Sequence, residues 1–195
     1  MTRPAAGDPM VGILLAAGSA TRFGGGKLLA PLEDGTPLGV RALINLRGCV
    51  DAVLAVVRPG DVALASALAD HGARVTVCSN AAQGMGHSLA WAVRASPLAK
   101  GWLVALADMP WIRRETIASV VDALERGVGL VATSHRGLRR HPVGFSRRYY
   151  DELAALSGDE GARALLRAHE QDIELIETDD GGVARDVDTP ADLAR

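Results

Sequence analysis

The chain has 195 residues, a formal net charge of −2 and 4% aromatic residues, a size that suits one domain with ample material for a core. Near-neutral charge and few aromatics speak against a nucleic-acid binder, which would carry a basic face with stacking residues. No apolar run approaches the roughly 20 residues needed to cross a bilayer, and the opening MTRPAAGDP lacks the apolar core of a signal peptide, so a cytoplasmic protein acting on small molecules is expected.

Residues 1–9 are expected to form a flexible lead-in and residues 10–195 a single domain. From there one theme repeats: apolar strand, loop, amphipathic helix. Strands are predicted over Val11–Leu15, Ala52–Val57, Arg74–Cys78, Trp102–Leu106, Gly129–Thr133 and Ile173–Ile176. Helices are predicted over Pro37–Leu46, Val62–Ala69, Gly86–Ala95, Arg114–Arg126, Arg147–Leu156 and Gly161–Ala168 by apolar spacing. Alternation of this kind implies an α/β fold with right-handed crossovers and a mainly parallel sheet covered on both faces, whose ligands sit at the carboxyl ends of the strands. Cys49 and Cys78 stand singly in apolar contexts, with no CxxC pair, and are expected as core residues rather than zinc ligands.

The first predicted strand runs into LLAAGSATRFGGGKLL, Leu14 to Leu29. Small residues from Ala16 to Ala20 let backbone approach a ligand, and Gly18 and Gly24 to Gly26 can take positive φ at no steric cost. Arg22 offers a planar fork for phosphate oxygens and Lys27 a compact charge, which together suit a triphosphate. A Walker A loop would need Gly at Thr21 and Ser or Thr at Leu28. A dinucleotide fingerprint would need its glycines to open a helix, but Pro31 and the turn Glu33, Asp34, Gly35 forbid a long one. The competing reading is a plain surface loop.

Unusual residues cluster after later strands as well. Asn80, Gln83, Gly84, Met85, His87 and Ser88 follow the third. In WLVALADMP a buried strand ends in Asp108, a carboxylate costly to bury without a cation or donor. Asp108 is read as a metal ligand, with capping of the helix after Arg113 as the alternative. Near the end, alternation puts Asp186 and Asp188 on one face of an extended segment, while Thr189 and Pro190 suit a helix start. Asp188 is expected to meet Asp108 across Mg²⁺, an ion that favours oxygen ligands and bridges to phosphates.

With these residues in view, the chain resembles the molybdenum cofactor cytidylyltransferases among the MobA-like nucleotidyltransferases. LAAG followed by Ser, Arg, Gly and Lys matches Leu15 to Lys27, and Asn, GM and Ser match Asn80, Gly84, Met85 and Ser88. A strand-ending Asp with Pro matches Asp108 and Pro110. Arg140 to Phe145 resembles a GHPxxF stretch, Gly158 to Leu166 a GDxGARxLL stretch, and Asp186 to Leu193 a DxDTPxDL stretch. Arg140 departs from the Gly common there, Phe23 from Met and Ala107 from Gly.

The resemblance implies a Rossmann-like three-layer αβα fold of the nucleotide-diphospho-sugar transferase type. It implies transfer of CMP from CTP to the phosphate of molybdenum cofactor, with pyrophosphate released and a recipient molybdenum enzyme as a further partner. By this resemblance Leu15, Ala16, Ala17, Gly18 and Ser19 contact nucleotide, Ala17 reading the base as part of LAAG where guanylyl members have LAGG. Gly84 and Met85 join them, Asn80 and Ser88 orient base or ribose, and Arg22, Lys27 and Asp108 are the catalytic residues. His141, Asp159 and Arg163 are the acceptor candidates. Their alternatives are a strand-edge histidine, an N-cap before Glu160–Ala168 and a solvated helix residue. Arg136, Arg139, Arg140, Arg147 and Arg148 are expected to form a basic rim. GTP use, a sugar-phosphate acceptor, or a non-catalytic cofactor chaperone are the alternatives.

Overall fold

The computed structural model describes residues 7–18 and 23–194. Seven strands form one sheet in the order β3-β2-β1-β4-β6-β5-β7. They are β1 (Met10–Leu15), β2 (Ala52–Val57), β3 (Arg74–Val77), β4 (Gly101–Leu106), β5 (Leu130–His135), β6 (Leu138–Ser146) and β7 (Ile173–Glu177). Every neighbouring pair is parallel except those made by β6, which runs antiparallel to both β4 and β5. The helices are α1 (Leu38–Arg47), α2 (Val62–Asp70), α3 (Met85–Arg94), α4 (Arg114–Glu125), α5 (Tyr150–Ala154) and α6 (Arg163–Ala168).

The helices divide by their apolar faces. Leu43 and Leu46 of α1, Leu64 and Leu68 of α2, and Val120 and Leu124 of α4 pack on one face of the sheet. Leu89 and Val93 of α3, Leu153 of α5, and Leu165 and Leu166 of α6 cover the other. Three αβα layers result, as expected.

Two elements differ from the sequence reading. β6 was not expected, because Pro142 and the run Arg139, Arg140, His141 argue against a central strand. A bulge absorbs them: Ala132 opposes Val143 while Thr133 opposes Arg140, so His141 and Pro142 drop out of the ladder with β5. The predicted helix over Arg147–Leu156 is instead a 3-10 turn, Arg147–Tyr149, followed by the short α5.

Strand order creates the crevice. From β1 the chain moves outward through β2 and β3, then returns to place β4 on the opposite side of β1. At such a reversal, connections leave β1 and β4 in opposite directions and open a cleft at their carboxyl ends. Leu15 pairs with Leu106 in register, so both strands end level and their following loops lie side by side.

Candidate active site

Gly24, Gly25 and Gly26 have φ of 85°, 97° and 66°, left-handed values that a side chain would resist. They feed a 3-10 turn, Lys27–Leu29, with Gly26 at its N-cap. Lys27 is thereby turned inward and is only 9% exposed. Gly18, by contrast, does not use positive φ. Its contribution is a missing side chain, since a Cβ there would enter open space in the cleft.

Lys27 Nζ donates to Asp108 Oδ2 at 2.8 Å and lies 4.0 Å from Asp188 Oδ1. Backbone bonds fix both acids: Ala107 N donates to Leu15 O at 3.1 Å, and Val187 N to Asp108 O at 3.0 Å. Val187 is fully buried. Asp192 Oδ2 accepts from Asp188 N, Thr189 N and Thr189 Oγ1 at 3.2, 2.8 and 2.8 Å, so the acid of the last turn folds back and sets the Asp188 backbone.

Two carboxylates thus converge on one cationic nitrogen. That donor set fits a divalent ion which keeps most of its waters and gains further oxygens from a bound triphosphate. Among the described residues no third Asp, Glu, His or Cys joins them in a cluster. Asp108 is not the cap of α4; buried Asp180 has that role through Arg113 N and Thr116 Oγ1, both at 2.8 Å.

A cleft of about 580 Å³ extends from this point, the size of ordinary small-molecule sites. Leu15, Ala16, Ala17, Gly18, Lys27, Gly84, Met85, Ser88 and Asp108 line it, all expected from sequence. Asn80 is not on its wall; it is exposed, and its carbonyl accepts from Gln83 N in the 3-10 turn Ala81–Gln83. Arg22 and Ser19 lie outside the described residues. Arg58 after β2 and Ser79 after β3 also line the cleft. The strand-end rule was their only sequence signal.

A second cavity of about 470 Å³ adjoins the first and shares Leu15, Met85, Leu106 and Asp159 with it. His141 and Arg163 line it. Half-buried His141 has its Nδ1 3.4 Å from Val104 O. Burial pushes its imidazole below the usual range and Arg163 adds to this, against the opposing pull of Val104 O and Asp108. Asp159 does not cap a helix, since α6 begins at Arg163 after Ala162. It lies instead on the shared wall, where Gly86 N donates to neighbouring Gly158 O at 2.8 Å.

The basic rim does not form as expected. Arg139 and Arg140 begin β6 at the cavity, but Arg147 follows its far end, where Ser146 opposes Gly101 at the start of β4. There Arg147 donates to Ala99 O at 3.0 Å and Arg148 to Tyr149 Oη at 2.6 Å. Of the thiols, Cys78 is fully buried and Cys49 half-buried. No described helix is long and apolar enough to cross a membrane.

Residues 12–173 match the MobA-like NTP transferase domain. The purine catabolism protein PucB of Bacillus subtilis (strain 168) is 31% identical, with 93% of this chain and 92% of PucB covered. Nicotine blue oxidoreductase of Paenarthrobacter nicotinovorans is 30% identical, with 95% of each chain covered. The crystal structure of Rv0371c from Mycobacterium tuberculosis H37Rv superposes with a TM-score of 0.83 at 30% identity, covering 100% of this chain and 98% of that one. Rv0371c has also been solved in complex with manganese, at a TM-score of 0.80, 28% identity and 96% coverage of both chains. With its strand-end cleft and these matches, the chain belongs to the MobA-like NTP transferase family and is a nucleotidyltransferase.

Proposed function

We propose that the chain transfers CMP from CTP to the phosphate of molybdenum cofactor in the cytoplasm, with Mg²⁺ as the metal. The observation that carries this reading is the pair of adjoining cavities that share Leu15, Met85, Leu106 and Asp159, the first of them lined by Lys27 and Asp108, with Asp188 4.0 Å from Lys27. Two substrates of phosphate chemistry need such an arrangement.

In this reading the first cavity takes the nucleotide. Backbone from Leu15 to Gly18 approaches it closely, Ala17 bounds the base, Ser88 meets the ribose or base, and Lys27 neutralises the triphosphate, with Arg22 as a second cation. Asn80 would act from outside the described cavity wall. Asp108 and Asp188 would hold Mg²⁺, which when bound draws charge from the reacting phosphates. The second cavity takes the acceptor against His141, Asp159 and Arg163.

An acceptor phosphate oxygen attacks the α-phosphorus of CTP. A new P–O bond forms, the α–β bridging P–O bond breaks, and its electron pair leaves with pyrophosphate. The chain supplies positioning and charge neutralisation, the two contributions such a transfer chiefly requires.

Support for CTP comes from the LAAG stretch, Leu15 to Gly18, with Ala17 on the wall of the first cavity. Manganese in Rv0371c supports divalent-metal use. Incubating the pure protein with each of the four nucleoside triphosphates, Mg²⁺ and molybdenum cofactor should release pyrophosphate fastest with CTP. A preference for GTP would reassign the base, and no turnover with any triphosphate would favour a cofactor-carrying role.

A further inference from the structure

The second cavity differs in kind from the first. Val104, Val143, Phe145 and Leu166 give it an apolar floor, while four arginines and three carboxylates stand on its wall. Arg167 is ion-paired with Glu160. Arg140 is engaged differently. No carboxylate of the described residues lies within ion-pair distance of it, and its Nε is shut off from solvent without a hydrogen-bond partner.

Its position sharpens the point. Thr133 opposes Arg140 across the β5–β6 ladder, and the fully buried Thr133 hydroxyl also lacks a partner. Buried polar groups are nearly always paired, and part of an ionised one is costly to leave unpaired. An apolar side chain would suit position 140 better if it were only structural. The bulge at His141 and Pro142 also ends the pairing of β6 with β4 at Val143, which leaves Arg140 at the cavity instead of within that ladder.

We propose that Arg140 is the receptor for the acceptor's anionic group, a phosphate monoester carried on an apolar body, and that it selects acceptors by that charge. The inference rests on the transferase reading above and adds the residue that recognises the second substrate. The guanidinium fork matches a phosphate with paired hydrogen bonds, and the floor accepts the body. An uncharged analogue leaves the partly desolvated guanidinium unmatched, which is how a polar site rejects a ligand lacking the expected group.

The test compares wild type with Arg140→Gln and Arg140→Lys. Calorimetric titration uses phenyl phosphate, with phenol as the uncharged control, in the presence of CTP to fill the first cavity. Pyrophosphate release is followed against molybdenum cofactor concentration, and CTP binding is measured separately. Phenyl phosphate should bind wild type, bind the Gln variant about tenfold more weakly and the Lys variant in between, with phenol binding none, as loss of a charge-assisted fork implies. Acceptor KM should rise by a similar factor while the Kd for CTP stays fixed.

Failure of phenyl phosphate to bind wild type, equal binding by all three proteins, or an unmoved acceptor KM would overturn the proposal. Absence of nucleotide-dependent pyrophosphate release by wild type would overturn the transferase reading instead, and the phenyl phosphate comparison would still decide the role of Arg140. Thermal melts check folding, and the Lys variant, which keeps stem and charge, serves if the Gln variant melts early.

Discussion

Lys27 Nζ sits 2.8 Å from Asp108 Oδ2 and 4.0 Å from Asp188 Oδ1, joining the glycine loop, the end of β4 and the C-terminal segment at one point. The ammonium occupies the place between the two carboxylates where a divalent cation would bring its charge. Repulsion between cations a few ångströms apart is on the order of 1 kcal/mol even with much water nearby. Lys27→Met should therefore raise the affinity of the nucleotide-free protein for Mn²⁺ by about fivefold, read from the free-ion EPR signal. The same variant should lose about a hundredfold in turnover, because the charge on the triphosphate is gone. Unchanged Mn²⁺ affinity would place the metal elsewhere.

Gly84 and Gly86 are required by proximity of backbone to backbone. A methyl group on Gly84 would overlap Gly158 O and Asp159 Oδ1, and one on Gly86 would overlap Ser157 O. Gly84 also has φ of 119°, which disfavours alanine on its own account. Gly84→Ala should cost about 2–4 kcal/mol in urea denaturation, adding overpacking to backbone strain. It should also weaken acceptor and nucleotide binding together, since it moves the wall common to both cavities. A variant as stable as wild type would mean that residues 157–159 do not hold this approach in solution.

The core strands, the glycine loop before Lys27 and the strand-end position of Asp108 were legible because each depends on local pattern, whereas the pairing of Lys27 with Asp108 and its approach to Asp188 depend on three distant segments meeting. Arg58 and Ser79 were not legible, since they become cavity walls only through the strand order. β6 was hidden by Pro142 and two arginines, whose placement depends on a bulge that no local propensity encodes. Asp108 and Asp180 show the same division. Sequence proximity offered Asp108 as the cap of α4 only as the alternative to a metal ligand. The chain instead brings Asp180 from 67 residues beyond Arg113 and leaves Asp108 to Lys27.

His141 gives the metal-free protein a pH signature. Burial and Arg163 lower its folded-state pKa below the ordinary 6.5. Between those two values the unfolded chain binds the proton and the folded chain does not, so stability increases with pH in that window. The contribution is present above pH 6.5 and is lost as pH falls through the lowered folded value. In EDTA, the urea midpoint of wild type should decline more steeply below pH 6.5 than that of His141→Gln. Parallel curves would mean that His141 titrates as an exposed histidine does.

Asp180 is 1% exposed and holds the chain that follows Asp108. Its Oδ2 accepts from Arg113 N and Thr116 Oγ1, and its Oδ1 from Gly182 N, each at 2.8 Å. Arg113 at the N-cap of α4 makes no side-chain cap of its own, so this carboxylate satisfies the helix start from a distant segment and also meets the positive end of its dipole. Asp180→Ala would leave three donors without their acceptor in a closed space and should destabilise the fold by about 3–5 kcal/mol, a large part of the roughly 5–15 kcal/mol typical of a domain. Asp180→Asn keeps one acceptor oxygen but turns an amide toward a donor, and should lose about half as much. Urea denaturation measures both. Because Asp180 lies outside both cavities, kcat per folded molecule should stay within about twofold of wild type at low temperature, where the variants remain folded. A fall in kcat without a fall in stability would show that Asp180 acts on the chemistry of Asp108 rather than on the helix it caps.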